Sequence, residues 1–232
     1  MTGQLRPARI VDLSHRLDAG IQVYPGDPVV RLSPAATLDR DGFNLLNLAM
    51  GSQSGTHVDA PYHFFAGGVR IDDLELTMFL GPAVIADVRG KPPHGRITWE
   101  DLTPYAHRLV PGTILVLHTG WSVHFRTERY FQHPCLEPDA AERILDTGVR
   151  TLALDSPSPD PIRPNQSAPA SFPVHRLVLG AGCVIAENLT NVGAVDFADP
   201  VVSLLPLALA GADGAPVRAV ALQLDPRQAG MR

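Results

Sequence analysis

The segment MGSQSGTHVDAPYHF, residues 50–64, places two of the chain's nine histidines on either side of a carboxylate. Side chains of an extended segment alternate between two faces, so we expect Gln53, His57 and Asp59 to point the same way, with Gly55 leaving space among them. Pro61 ends a regular strand and lets the chain return His63 toward that space. The segment therefore predicts a row of ligands on one strand.

The residue types in this row are suited to metal binding. Neutral imidazoles and carboxylates bind Zn²⁺ or Mn²⁺, and a histidine held off the metal can carry protons near neutral pH. The same pattern is also typical of a polar strand end whose histidines form local hydrogen bonds, because His-x-Asp is short and common. Spacing alone leaves both interpretations open.

Composition narrows the class of protein. The chain has 232 residues, of which 45% are hydrophobic and 19% charged, and its formal net charge is -5. This composition predicts one globular domain over residues 1–232, since the length does not force a second core. The basic residues are scattered, so we expect a small-molecule substrate and no nucleic-acid partner.

The apolar segments and the cysteines limit the remaining options. The N-terminal residues show no secretory signal pattern, and the apolar run from Val201 is short and contains Pro206, so we expect a cytoplasmic protein with no membrane partner. Cys135 and Cys183 lie far apart in the sequence, without the paired spacing of a zinc site. A metal site must therefore use His, Asp and Glu.

Short β-rich runs separated by Gly and Pro predict a strand-rich α+β fold with few helices. The predicted strands are ARIVDLSH, FNLLNLAM, PAVIADV, GTILVLHTGW, VRTLALDS, RLVLGAGCVIAENL and APVRAVALQL. Two helices are expected, EPDAAERILDTG from Glu137, with Gly148 as its stop, and TWEDLTPYAH, which Pro104 limits. The Pro- and Ser-rich segment from Asp155 is expected to be a long loop that acts as a lid or an interface arm.

Several blocks of the sequence resemble one family of metal-dependent hydrolases. SGTHVDAPYHF is similar to the His-x-Gly-Thr-His-x-Asp-x-Pro-x-His signature of the cyclase family, which includes bacterial kynurenine formamidase and isatin hydrolase. Further blocks agree in order and spacing across nearly the whole chain: VDLSHRLDAGIQVYPGDP, LVLHTGW, LALDSPSPD, HRLVLGAGCVIAENL and LPLALAGADGAPVRAVAL. The resemblance implies a mixed or antiparallel barrel-like sheet with a few flanking helices.

The resemblance also assigns roles to residues. It implies that the metal ligands are His57, Asp59, His175 and Glu187, and that His63 donates and accepts protons. The family's first signature histidine is Gln53 in this chain. An amide oxygen is a poorer Zn²⁺ ligand than imidazole, so we expect Gln53 to be a weak metal ligand, with one firmly held Zn²⁺ or Mn²⁺ and at most a loosely held second ion.

The implied reaction is hydrolysis of an amide or lactam carbonyl of a small aromatic substrate, most like that of an arylformamidase. The loss of one signature histidine keeps an alternative open, namely a relative that catalyses a non-hydrolytic cyclisation or dehydration, or a metal-poor protein that only binds a ligand. Members of this family form dimers or tetramers, so the resemblance further implies a homodimer or homotetramer.

Aromatic side chains flank the signature blocks and are candidates for the wall of an apolar substrate pocket. As sequence features they are equally typical of ordinary core residues. The candidates are Tyr24, Phe64, Phe65 and Phe172, with Trp121 as a further one.

Overall fold

A computed structural model describes residues 7–162 and 171–224 of the chain. The strands are β1 (Pro7–Asp12), β2 (Arg31–Ala36), β3 (Leu45–Ala49), β4 (His57–Asp59), β5 (Leu80–Asp87), β6 (Arg96–Ile97), β7 (Ile114–His118), β8 (Cys135–Leu136), β9 (Thr151–Leu154), β10 (Val184–Glu187), β11 (Val201–Ser203), β12 (Gly214–Pro216) and β13 (Val220–Leu224). The α-helices are α1 (Leu38–Asp41), α2 (Trp99–Leu102), α3 (Pro138–Asp146) and α4 (Pro173–Gly180). The strand-rich α+β class is therefore confirmed.

Nine of these strands form one curled, half-barrel sheet in the order β1-β13-β11-β5-β7-β9-β10-β4-β12. Strands β5, β7, β9 and β10 pair in parallel, and the strands outside them pair antiparallel. All residues of β7, β9 and β10 are buried, because one hydrophobic cluster with α3 and α4 covers one face and a second cluster covers the other. The expected mixed, barrel-like sheet is present.

The short strand β4 lies between β10 and β12, and this pairing builds the centre of the molecule. His57 lies opposite Glu187 on one side and opposite Pro216 on the other. All three residues of β4 are buried. The register therefore brings a histidine and a glutamate that are 130 positions apart in sequence into direct contact.

One predicted strand is partly wrong. The first half of RLVLGAGCVIAENL belongs to α4, and only Val184–Glu187 is a strand. Pro173 favours the first turn of a helix, and the buried residues Val174, His175, Val178 and Leu179 have helical spacing. Our reading of an apolar run as a strand missed this periodicity.

The two predicted helices are present with different extents. The first forms α3, and Gly148 follows it at a φ of 85°. The second begins as α2 with a Thr98–Asp101 capping box, but from Thr103 to Arg108 it continues as a 3₁₀ helix. Pro104 removes a backbone donor, which explains the early end of the α-helix.

Only the first part of the loop from Asp155, which is expected to be a lid or an interface arm, is described. Residues 155–160 are buried within their own chain. The remainder, residues 163–170, lies outside the described residues. Within residues 7–162 and 171–224, no helix is long and apolar enough to cross a membrane.

Strands β2 and β3 form a separate two-stranded hairpin with an apolar face. Leu32 pairs with Leu48 and Pro34 with Leu46, so these four side chains share one face. Leu46 is 59% exposed and Leu48 is 48% exposed. A two-stranded hairpin without further packing is marginally stable in water. The apolar face is thus an unusual surface for a chain of this size.

Candidate metal centre

Two histidines and two carboxylates converge where β4, β10 and α4 meet. His57 Nε2 lies 3.4 Å from Asp59 Oδ1 and 3.4 Å from Glu187 Oε2. His175 Nε2 lies 3.5 Å from Asp59 Oδ2 and 3.2 Å from Glu187 Oε1. All four residues are buried. The structure thus brings together the four ligands that the family resemblance implies.

Each imidazole is oriented through its other ring nitrogen. His57 Nδ1 donates to the carbonyl oxygen of Gly55 at 2.8 Å, and His175 Nδ1 donates to Asp160 Oδ2 at 2.7 Å. These bonds leave both Nε2 atoms directed at the carboxylates. Partners of this kind fix the tautomer and the ring orientation of metal-binding histidines.

The unpaired atoms of this cluster fit a divalent ion. Among the described residues, neither oxygen of Asp59 nor Oε1 of Glu187 accepts a hydrogen bond, although all three atoms are buried. Buried carboxylates of this kind are stable only when they are paired or coordinate a metal. One ligand atom each from His57, Asp59 and Glu187 lies within 4.8 Å of the other two, so these three side chains could hold a divalent ion together. His175 lies against the other oxygen of each carboxylate.

The carboxylates of this cluster raise the pKa of its two histidines, so the rings hold protons when no ion is bound. Burial by itself would lower the pKa of His57, but the carboxylates of Asp59 and Glu187 raise it to about 10. The pKa of His175 is likewise raised well above its ordinary value, because Asp160, Asp59 and Glu187 outweigh burial. The pKa of Asp59 is lowered, since the two histidines outweigh its own burial. The cluster therefore attracts positive charge.

His63 lies beside this cluster and is paired with a carboxylate that the sequence did not indicate. The 3₁₀ turn Pro61–His63 brings the ring back toward β4, and His63 Nδ1 lies 2.9 Å from Asp213 Oδ2. Ser52 Oγ donates to the other oxygen of Asp213 at 2.8 Å. Burial lowers the pKa of His63, but Asp213 outweighs it, so the pKa is raised overall.

Gln53 differs from the sequence expectation. Residues 52–56 form turns and bends, so Gln53 is not on the strand with His57 and Asp59. Gly55 has a φ of 70°, which interrupts an extended backbone. A side chain at this position would contact Ile21 and Leu17, so Gly55 does not leave open space. Gln53 Nε2 donates to Asp213 Oδ2 at 3.0 Å, and its Oε1 is buried without a hydrogen-bond partner among the described residues.

A cavity of about 430 Å³ opens over these side chains. Three of the predicted substrate-binding residues, Tyr24, Phe64 and Phe172, line it. The Phe64 ring also stacks on His175 at a centroid distance of 5.0 Å. Tyr130 and Phe131, which no sequence motif marks, add to the aromatic wall.

Two aromatic candidates lie elsewhere. Phe65 packs against the hydrophobic cluster under α4, with its ring against Gly180, and does not line the cavity. The indole of buried Trp121 donates to the carbonyl oxygens of Arg129 and Tyr130. Both residues serve the core, which was the alternative interpretation of every aromatic in this set.

Comparisons with known proteins show the family of this chain. A family model described as "Putative cyclase" matches residues 11–161. The chain belongs to the cyclase family. It is 34% identical over 211 residues to a kynurenine formamidase of Geobacillus thermodenitrificans, with 90% of this chain and 95% of the relative covered. It is 32% identical to a kynurenine formamidase of Bacillus cereus, with 93% and 98% covered.

Among solved structures, isatin hydrolase A from Labrenzia aggregata, bound to benzyl benzoate, superimposes with a TM-score of 0.82. The two sequences are 24% identical, and the match covers 94% of each chain. This likeness confirms the fold that the cyclase-family resemblance implied.

Proposed function

We propose that this chain is a metal-dependent hydrolase of non-peptide carbon–nitrogen bonds that acts as an arylformamidase. The observation that carries the proposal is the cluster of unpaired ligand atoms at the base of an aromatic cavity, with the His63–Asp213 pair beside it. Full-length similarity to kynurenine formamidases supports the choice of an aryl formamide as substrate.

His57, Asp59 and Glu187 would hold one divalent ion, and His175 would be a ligand on the side of the other oxygen of each carboxylate. When bound, the ion would lower the pKa of a water molecule from 15.7 toward about 7 and would polarise the substrate carbonyl. Asp160 and the Gly55 carbonyl keep the two imidazoles in the ligating tautomer.

His63 would move the proton. Its Nδ1 donates to Asp213, which leaves Nε2 free to accept a proton from the attacking water and to return it to the departing aryl nitrogen. Asp213 stabilises the protonated ring, as a carboxylate partner does for other catalytic histidines. The rings of Tyr24, Phe64 and Phe172 would hold the aryl group and exclude water.

The metal identity and number are part of the proposal. We propose one firmly held Zn²⁺ or Mn²⁺, because Gln53 directs an amide nitrogen to Asp213 where the family has a ligating imidazole. Metal analysis after dialysis should find about one ion per chain, and Gln53→His should raise zinc content. Two firmly held zinc ions in the wild type would contradict this part.

The activity is tested with formanilide and measurement of released formate. Protein stripped by a chelator should be inactive, and addition of Zn²⁺ or Mn²⁺ should restore turnover, whereas His57→Ala protein should not recover. Full turnover in the stripped wild type would overturn the proposal.

A homo-oligomer is a further part of the proposal, together with a cytoplasmic location. The apolar face of the β2–β3 hairpin supports self-association, because Leu32, Pro34, Leu46 and Leu48 would be buried against a second copy. Light scattering at micromolar concentration should show a dimer or larger species. Leu46→Lys with Leu48→Lys should dissociate it, while Asn47→Lys, on the opposite face, should not. A monomeric wild type would contradict self-association.

A further inference from the structure

Gly55 supplies the carbonyl oxygen that orients His57, and this oxygen belongs to a peptide group that needs outside support. Gly55 lies two residues before β4 and has a φ of 70°, in the left-handed region. Glycine adopts many backbone conformations at little cost, so the peptide plane that carries the oxygen can rotate unless other contacts hold it. The restraint must come from elsewhere in the fold.

Asn188, the residue that follows β10, contacts this peptide group. Its Nδ2 donates to the Gly55 carbonyl oxygen at 3.1 Å, beside the 2.8 Å bond from His57 Nδ1. A carbonyl oxygen has two lone pairs and can accept both bonds. The backbone of Asn188 adds a second link, because its carbonyl oxygen accepts from Thr56 Oγ1 at 2.7 Å. The end of β10 thus holds the entry to β4 through two hydrogen bonds.

The orientation of the Asn188 amide follows from its two partners. The Gly55 carbonyl can only accept, so the amide nitrogen must face it and the amide oxygen must face Tyr130. The Tyr130 hydroxyl donates to that oxygen at 2.8 Å. Burial raises the pKa of Tyr130 well above its ordinary value, so the phenol keeps the proton that it donates. Donation therefore runs in one direction, from Tyr130 to Asn188 and from Asn188 to Gly55.

The backbone at Asn188 would suit a glycine better. Its φ is 58°, in the left-handed region, where asparagine is tolerated and glycine is free of strain. Asparagine at this position therefore keeps an amide at a cost in backbone strain. The amide lies next to Glu187 in the chain, and Asn188 and Tyr130 both line the cavity. The proposed reaction assigns no role to either side chain.

We propose that Asn188 is a positioning residue of the metal centre, whose amide fixes the Gly55 carbonyl that orients His57. Tyr130 in turn fixes the amide. This inference rests on the metal site of the proposed function and adds to it the residues that set the direction of one ligand. Loss of a partner beyond the ligands typically lowers metal affinity by about 10- to 100-fold. Loss of the amide should therefore weaken the site although every ligand is still present.

Binding of Co²⁺ tests the inference, because the visible absorption of the bound ion reports on the geometry of its ligands. Asn188→Gly removes the amide and leaves a residue that adopts the same backbone without strain. This variant should bind Co²⁺ about tenfold more weakly than the wild type and should have a different visible spectrum. Tyr130→Phe, which removes only the hydroxyl group, should change affinity and spectrum in the same direction by a smaller amount.

A matched control is Asn191→Gly. Asn191 also has a left-handed φ, of 54°, and its Nδ2 also donates to a backbone carbonyl oxygen, that of Asp12, at 3.0 Å. It is exposed and does not line the cavity. The control should keep the Co²⁺ affinity and the spectrum of the wild type.

A measurement without metal separates this inference from the proposed function. In the metal-free protein, the Nδ1 proton of His57 should give a slowly exchanging imidazole signal in NMR spectra, which His57→Ala should lack. In Asn188→Gly this proton should exchange with solvent about tenfold faster, as expected when a hydrogen bond is weakened, whereas Asn191→Gly should match the wild type.

The outcomes distinguish the two claims. Equal Co²⁺ affinity and equal proton exchange in the wild type and Asn188→Gly would overturn the inference, whatever the activity toward formanilide. Weaker binding with an unchanged spectrum and unchanged exchange would also overturn it, because the role of Asn188 would then be merely structural. A wild type that binds no Co²⁺ but shows the expected difference in exchange would support the positioning of His57 and contradict the metal site of the proposed function.

Discussion

In the proposed reaction, some residues of this site would hold an ion and His63 would move a proton. The two buried oxygens of Asp59 have no hydrogen-bond partner in the part of the chain that the structure describes, whereas His63 is bonded to Asp213 and lies to one side of the cluster. Loss of a ligand and loss of a proton carrier should therefore have different consequences for metal content.

His63→Ala should leave metal content unchanged and lower kcat by about 10² or more, because a general base is removed while the ligand set stays intact. Asp59→Ala should lower metal content and activity together. Metal analysis and formate release on the same samples check both results. A loss of metal in His63→Ala would make His63 a ligand.

Asp213→Asn should lower kcat and move the acidic limb of the pH–rate profile to lower pH. The carboxylate raises the pKa of His63, and a base must be unprotonated to act, so removing the charge lets His63 lose its proton at lower pH. Profiles of kcat/KM for wild type and variant check the shift. If the acidic limb of the profile does not move, the group that titrates there is not His63.

The sequence predicted the residues of the cluster and missed those that orient them. His57 and Asp59 lie in the signature, whereas His175 and Glu187 were assigned only through the family resemblance. Asp213 is 150 positions from His63, and Asp160 lies 15 positions before His175 within a Pro- and Ser-rich segment. No local pattern marks either aspartate, and only the folded chain brings each one to its histidine.

At the scale of elements, α4 and β4 supply the site with rigid supports. Asp160 accepts hydrogen bonds from the backbone N–H groups of Val174 and His175, at 3.0 and 2.9 Å, in the first turn of α4. The same carboxylate holds the His175 ring. One side chain thus caps a helix and orients a ligand.

Asp160→Ala should lower the free energy of unfolding of the metal-free protein by about 1–3 kcal/mol, because buried N–H groups lose their acceptor. Metal affinity should fall by about 10- to 100-fold. Urea unfolding with a chelator and calorimetric titration measure the two effects. Asp139→Ala, at an exposed carboxylate in the first turn of α3, should change stability by no more than about 0.5 kcal/mol.

The elements were predicted well where periodicity was simple and poorly where it was ambiguous. Fully buried runs such as β7 and β9 read directly as strands. The run before Val184 is equally apolar, yet it forms α4, because packing against α3 and the Asp160 cap favour a helix there. Short apolar runs do not distinguish these two outcomes by composition.

For the molecule as a whole, metal binding and protonation are linked. Without an ion, His57, with a pKa of about 10, and His175, with a raised pKa, both carry protons at pH 7. A pKa raised by folding stabilises the metal-free protein below pH 6.5, and that stability is lost as the pH rises through about 10.

Binding of one ion at pH 7 should therefore release about two protons, and affinity should rise with pH. Calorimetric titrations in phosphate and in Tris, whose ionisation enthalpies differ, give the number released. A heat of binding that is the same in both buffers would show that the cluster is unprotonated before the ion arrives.

The β2–β3 hairpin leaves and rejoins the body of the protein at the cavity itself, since residues 22–28 precede it and residues 51–53 follow it, and both stretches contribute to the lining. In the proposed homo-oligomer, burial of the hairpin against a second copy would restrain both of these stretches of the cavity wall. Activity would then depend on protein concentration. Specific activity should decline when the protein is diluted until the oligomer dissociates. Addition of excess Leu46→Lys/Leu48→Lys protein should not restore this activity. A specific activity independent of concentration would show that each chain secures its own walls.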